Sequence, residues 1–131
     1  MPKIRHIALA TDTPKETAEF YKSAFELEEV GEIDNSLATG YFLSDGTLNF
    51  AILKFHTDQL GRGLDYKGLH HFGVLVEDEA ECRTHLESLG SKVVMDKPED
   101  KDNFFEVKYS GPDGVVFDIS DVAWLGAEGL Q

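Results

Sequence analysis

Apolar residues alternate with polar or small ones through Ile4-Arg5-His6-Ile7-Ala8-Leu9-Ala10, and an apolar run returns from Leu69 to Val76. Runs of ~6 to 8 residues with this character predict β-strands. After each run the period lengthens. Thr17, Phe20, Tyr21, Ala24 and Phe25 share one helical face, and Cys82, Leu86 and Leu89 form a stripe on a second helix. Thr13-Pro14-Lys15-Glu16 has the form of a capping box, Asp78 with Glu81 offers a similar start, and Gly90 stands where a left-handed stop is wanted. Shorter, turn-bounded runs predict strands over Ala38 to Leu43, Thr47 to Phe55, Lys92 to Met95, Phe104 to Ser110 and Val115 to Ser120. Ser44-Asp45-Gly46 and Pro112-Asp113-Gly114 read as connecting turns. The set reads as βαβββ twice, an α+β chain.

The two halves also match residue by residue. At an offset of 65, His6-Ile7-Ala8-Leu9-Ala10 falls on His71-Phe72-Gly73-Val74-Leu75. Allowing small insertions, Ser44-Asp45-Gly46 falls on Pro112-Asp113-Gly114, and Asn49-Phe50-Ala51-Ile52 on Val116-Phe117-Asp118-Ile119. Residues 1–131 are expected to form one domain of two duplicated modules, about 3–56 and 69–122, joined by a glycine-bearing linker over about 57–68.

Alternation along a strand fixes which side chains share a face. If Ile7 and Leu9 pack under a helix, His6, Ala8 and Ala10 point the other way. By the same phase His71, Gly73 and Leu75 oppose Phe72 and Val74, while Val116, Asp118 and Ser120 oppose Phe117 and Ile119. Two histidines and a carboxylate thus emerge on the faces the helices do not use. Ala8, Ala10, Ala51 and Gly73 are small, which predicts a cavity there.

Asp118 stands out, because Asp is disfavoured in strands and Val-Val-Phe-Asp-Ile reads as a buried one. A buried carboxylate needs a cation, a hydrogen-bond network or a metal; an edge strand with Asp118 facing water is the alternative. His6, His71 and Asp118 are the candidate ligands of a divalent ion such as Fe(II), Mn(II), Ni(II) or Zn(II). A shift of strand phase by one would put His70 in place of His71. Lys108 and Tyr109, just before the Pro-Asp-Gly turn, are candidate proton donors, with an ordinary strand pair as the alternative. His56 and His85 are expected in solvent.

Charge narrows the partners. Twenty-five acidic against twelve basic side chains give a formal charge of −13, which repels nucleic acid and anionic membrane surfaces alike. With no run of the ~18 apolar residues a span requires, and no apolar core in Met-Pro-Lys-Ile-Arg-His, the expectation is a cytoplasmic protein. The single cysteine, Cys82, has no CxxC partner and sits in a helical pattern, so neither an internal disulfide nor a reactive thiol is expected.

Three stretches carry a resemblance: Ile4-Arg5-His6-Ile7-Ala8-Leu9, Gly68-Leu69-His70-His71-Phe72-Gly73-Val74 and Gly111-Pro112-Asp113-Gly114-Val115-Val116-Phe117-Asp118-Ile119. In order and spacing they resemble the vicinal oxygen chelate superfamily, which includes glyoxalase I, methylmalonyl-CoA epimerase, extradiol dioxygenases, and fosfomycin- and bleomycin-resistance proteins. The resemblance implies paired βαβββ modules curved into a cup-shaped mixed sheet. It implies a metal ion at His6, His71 and Asp118, chelation of vicinal substrate oxygens, and a homodimer. Ala51 falls where glyoxalase I and the epimerase have a Glu or Gln that also moves protons, and Asp118 replaces the usual Glu.

Two readings follow. One is a metal-dependent dioxygenase, lyase or isomerase acting on a small oxygenated molecule. The other is a metal-free protein that captures a small molecule or antibiotic, as bleomycin-resistance proteins do. Only Arg5, Arg62 and Arg83 are available to hold anionic groups, which argues against glutathione or a coenzyme A ester. Trp124, in the C-terminal segment, is expected to cover the rim of the cup or a seam between chains.

Overall fold

A computed structural model of the chain describes residues 1–97 and 106–130. The elements run β1 (Lys3–Ala10), α1 (Pro14–Phe25), β2 (Glu28–Asp34), β3 (Ala38–Ser44), β4 (Asn49–Phe55), β5 (Gly68–Leu75), α2 (Glu79–Ser88), β6 (Lys92–Met95), β7 (Val107–Ser110) and β8 (Val116–Ser120), with a short 3₁₀ turn at Pro112–Gly114. Of the strand expected over Phe104 to Ser110, Phe104 and Phe105 lie outside the described residues. The strands form one mixed, curved sheet in the order β2-β3-β4-β1-β5-β8-β7-β6. Only β1 with β4 and β5 with β8 run parallel, and the order is symmetric about the antiparallel β1–β5 pair. Among the described residues no helix is long and apolar enough to cross a membrane.

The helices take one face of the sheet. Ala18 and Tyr21 of α1 pack with Leu9, Leu43, Phe50 and Ile52. Cys82 and Leu86 of α2 pack with Val107, Tyr109, Phe117 and Ile119. The other face carries Ala8, Ala38, Ala51 and Leu53, against which Ile33, Phe42 and Phe55 pack. A cavity does open on this face, but Ala8 and Ala51 do not line it: both are fully buried, and neighbouring side chains, Phe42 and Phe55 among them, pack over them.

Local signals differ from expectation at three places. β2 has no predecessor in the sequence pattern, because Glu28-Glu29-Val30-Gly31-Glu32-Ile33-Asp34 carries four acids and no clean alternation. It is the outermost strand beside β3, where charge protects an open edge. Thr13 is the N-cap of α1 but makes no side-chain cap bond. Its hydroxyl instead meets those of Thr11 and Thr17. The strand expected from Thr47 begins at Asn49, since the Asp45 carboxylate accepts the N–H groups of Thr47 and Leu48 and prolongs the turn. Asp78 does cap α2, accepting the N–H of Glu81 at 3.0 Å.

One glycine holds the register of the outer strands. Gly40 stands opposite Leu53, and a Cβ there would lie 2.0 Å from the carbonyl oxygen of Ile52. Because that neighbour is backbone, only a shift of β4 relieves the clash. Gly40→Ala is expected to lower stability by roughly 1–3 kcal/mol or more, read as a fall in urea midpoint. An unchanged midpoint would mean that β3 and β4 are not held at this spacing.

Candidate metal centre

β1, β5 and β8 lie side by side, so the expected phase of each brings its polar residue to one point. His6 is 3 % exposed, His71 8 % and Asp118 1 %. Their donor atoms converge, with His6 Nε2 3.2 Å from His71 Nε2, His71 Nε2 3.0 Å from Asp118 Oδ2, and His6 Nε2 3.6 Å from Asp118 Oδ2. An ion with bonds of ~2.0–2.2 Å to imidazole and carboxylate keeps neighbouring donors roughly 3.0–3.4 Å apart, and two edges of this triangle fall in that range while the third, 3.6 Å, is slightly longer. Among the described residues these three are the one group of His, Cys, Asp or Glu that could hold a metal ion. The donor set fits a divalent ion.

Outer partners decide which ring nitrogens carry lone pairs. Asn49 Nδ2 donates to the Leu125 carbonyl at 2.8 Å, which turns Asn49 Oδ1 toward His6 Nδ1 at 2.7 Å. His6 Nδ1–H therefore donates, and its Nε2 presents a lone pair to the cluster. His71 Nδ1 lies 2.7 Å from His70 Nδ1. Either ring can donate in that pair, so His70 serves both tautomers of His71. His70 is itself pinned flat against Phe55, with ring centroids 3.8 Å apart. Of the two histidines, His71 lies in the cluster and His70 stands behind it.

Electrostatics keeps the group ready for a cation. Burial pushes the His6 pKa down to about 3, aided by His71 and Lys108, against the opposing pull of Asp118 and Asn49. Burial also lowers His71, despite Asp118, and takes His70 down to about 3. Burial alone would raise the Asp118 carboxyl, but His71, the Lys108 ammonium and His6 hold it well below the usual carboxylate range. Neutral imidazoles beside an ionised carboxylate are the protonation states that metal binding requires.

Around this group stand Lys108 and Trp124, both singled out in the sequence, and Glu106, which was not. Lys108 on β7 stands opposite Asp118 on β8, and its Nζ donates to Asp118 Oδ1 at 2.7 Å while only 6 % exposed. Trp124 stacks on His6 with centroids 4.9 Å apart and planes 3° from parallel, covering the cup from one side. Gly73 makes room for it, since a Cβ there would lie 2.8 Å from the indole ring. Trp124 Nε1 donates to Glu106 Oε1 at 3.1 Å. Burial, together with the Asp118 charge, pushes the Glu106 carboxyl toward its neutral form. Glu106 and Lys108 line a cavity with His6, His71 and Asp118, whose remaining wall is largely apolar and includes Ile33, Phe42, Phe55 and Met95.

Tyr109 is not brought to this cluster. It is fully buried on the helix side of β7, where its hydroxyl accepts from Arg83 Nε at 3.0 Å and lies 3.3 Å from Glu87 Oε2. Of the two candidate donors, the structure turns Tyr109 to the helix side and Lys108 to the cup side, where Glu106 also lies. His56 is exposed and bonded to Thr39, and His85 is exposed on α2. Cys82, on the sheet-facing side of α2, packs on the core of the second module, where burial and the Glu79 charge raise its thiol pKa.

The register also locates the position that lacks a ligand. Asp118 stands opposite Gly73 on β5, and Ala51 stands opposite Ala8 on β1. Since Gly73 and Ala8 follow His71 and His6 by the same two residues, Ala51 is the counterpart of Asp118.

A family model described as the Glyoxalase/Bleomycin resistance protein/Dioxygenase superfamily matches residues 3–119. Among solved structures, a hypothetical protein of Bacillus halodurans C-125 is similar with a TM-score of 0.76 at 19% identity, covering 98% of this chain and 99% of that one. A methylmalonyl-CoA epimerase in complex with methylmalonyl-CoA and NH4+ gives a TM-score of 0.77 at 18% identity, covering 98% and 99% of the two chains. A single-residue variant of the Streptomyces coelicolor methylmalonyl-CoA epimerase, in complex with 2-nitronate-propionyl-CoA, gives 0.74 at 20% identity, covering 89% and 94%. No curated protein matches the sequence.

Proposed function

The chain belongs to the glyoxalase/bleomycin resistance protein/dioxygenase superfamily, and from that premise we propose that it is a metal-dependent enzyme that chelates the vicinal oxygens of a small organic substrate through His6, His71 and Asp118. One observation carries this reading: two imidazole nitrogens and a carboxylate oxygen, all buried, converge at 3.0 to 3.6 Å. When bound, the ion supplies Lewis-acid polarisation of the substrate oxygens. The protein does the rest. Asn49 and His70 hold the two rings in orientation, Lys108 neutralises the oxygen of Asp118 that faces away from them, and Trp124 keeps water from the side of His6.

Among the reactions of the family, proton transfer of a lyase or isomerase is the one this cavity serves best. Ala51 removes the base expected at the fourth position, but Glu106 lines the cavity with a raised pKa and is suited to carry a proton. A dioxygenase is less well served, because Tyr109 is turned away. The epimerase relatives are described with coenzyme A esters, yet here Arg5 is engaged by Glu128 and Arg83 by Asp96. A substrate without a phosphate-rich handle follows from that.

A second reading has its own observation. With Lys108 on Asp118 and no ligand at Ala51, the cluster is partnered internally, as in a metal-free protein that captures a small molecule. Elemental analysis of anaerobically purified, untagged protein separates the two. The enzyme reading expects about one metal ion per chain in the wild type, and close to none in His6→Ala or Asp118→Ala. A wild type empty after incubation with Fe(II), Mn(II), Ni(II) and Zn(II) would leave capture as the function.

A further inference from the structure

The Lys108 ammonium sits against a candidate metal ligand, and an ammonium has three N–H donors. One donates to Asp118 Oδ1, the single hydrogen bond its Nζ makes among the described residues. The side chain is 8 % exposed and lines the cavity, so the remaining donors face the cavity rather than bulk water. A divalent ion on His6, His71 and Asp118 would therefore share the cavity wall with a second cation. Ala51 offers no carboxylate to offset it. Ion and ammonium would exceed Asp118 by roughly two positive charges, held among side chains that are each less than a tenth exposed.

We propose that Lys108 makes this cavity select an anionic chelator: a small carboxylate carrying a second donor oxygen on the adjacent carbon, with its carboxylate against the ammonium and any short apolar tail against Phe42, Leu53 and Phe55. The inference rests on the metal reading above and adds the charge of the substrate to it. It carries a consequence that a merely structural lysine would not have. Removing the ammonium relieves repulsion on the ion while depriving the ligand of its partner, so metal affinity and ligand affinity move in opposite directions.

Isothermal titration tests this with Mn(II), with oxalate, and with oxamide as the uncharged diamide of the same shape. On Mn(II)-loaded wild type, oxalate is expected to bind at least about tenfold more tightly than oxamide, a comparison that needs no substitution. Lys108→Met is expected to bind Mn(II) more tightly and oxalate at least about tenfold more weakly, while Lys108→Arg keeps oxalate within about threefold. Equal binding of oxalate and oxamide overturns the inference, as does a folded Lys108→Met that keeps wild-type oxalate affinity or loses Mn(II) and oxalate together. Those results leave the metal reading intact. A wild type that takes up no Mn(II) sinks the metal reading instead. In that case metal-free oxalate binding lost in Lys108→Met sustains selection of anions by Lys108, and its absence ends the proposal.

Discussion

Metal-free protein is expected to lose stability in acid from near pH 6.5 downward, well above the range where ordinary carboxylates titrate. The imidazoles of the cup are the cause. The folded His6 pKa is about 3 against an ordinary 6.5, so between those values the unfolded chain takes up a proton that the folded chain refuses. Stability is then full above about pH 6.5 and falls as the pH drops toward 3. His71 is lowered in the same sense, and His70, half in solvent, adds a smaller share. Asp118 acts later: its carboxyl is also depressed, so its contribution goes only below its unfolded value of 3.8. With each unit of depression equivalent to ~1.4 kcal/mol before screening, the histidines together amount to a loss on the order of a few kcal/mol, against a typical total of ~5–15 kcal/mol. Circular dichroism against pH, with EDTA present, reads the transition directly. Added Zn(II) is expected to move the midpoint down, because the ion competes with protons for the same nitrogens. An unfolding free energy, read by urea, that does not fall between pH 7 and about pH 4 would show that these rings are not held neutral.

Much of this site was written in strand phase. His6, Ala8 and Ala10 are all buried on one face, as alternation requires, and the 65-residue offset between His6 and His71 becomes adjacency across the β1–β5 pair. The same phase identified Asp118 as a buried anomaly, and its carboxylate does have the partners such a group needs. Other features escaped for physical reasons. β2 is an exposed acidic edge whose pairing is satisfied by β3 alone, so no hydrophobic period marks it. His70 gains its part from the neighbour beside it and from the Phe55 ring behind it, and the latter is a contact between β4 and β5 that no local pattern encodes.

Lys108 and Tyr109 teach a different lesson. Val107 and Tyr109 are the apolar phase of β7, and Lys108, with Glu106 just ahead of the strand, the polar one, so alternation already distinguished the cavity side from the helix side. Weighing Tyr109 by its chemistry alone put it on the wrong face. The small residues misled in the opposite way: Gly73 and Ala8 do lie on the cup face, but the space they give is taken by the Trp124 ring and by packed side chains. A run of small residues says that something large comes close; it does not say whether that is ligand or protein.

The pair at the centre of the cup should behave as one unit. Asp118→Leu is expected to lower stability by roughly 3–5 kcal/mol, because it leaves the Lys108 ammonium buried without its partner. Lys108→Met, measured without metal, is expected to lose a similar amount for the mirror reason. The double variant should recover most of that loss, to within about 1–2 kcal/mol of wild type, since replacing a whole buried ion pair by apolar groups of similar volume is often neutral. Urea unfolding of the four proteins reads the coupling, which should exceed about 2 kcal/mol. Simple additivity would mean that Lys108 finds solvent rather than Asp118, and the charge argument for an anionic substrate would weaken with it. The double variant also separates folding from chemistry. Lacking the carboxylate, it should fold and yet hold no metal, whereas metal retained at wild-type affinity would show that Asp118 is not a ligand and that the two histidines bind with some other group.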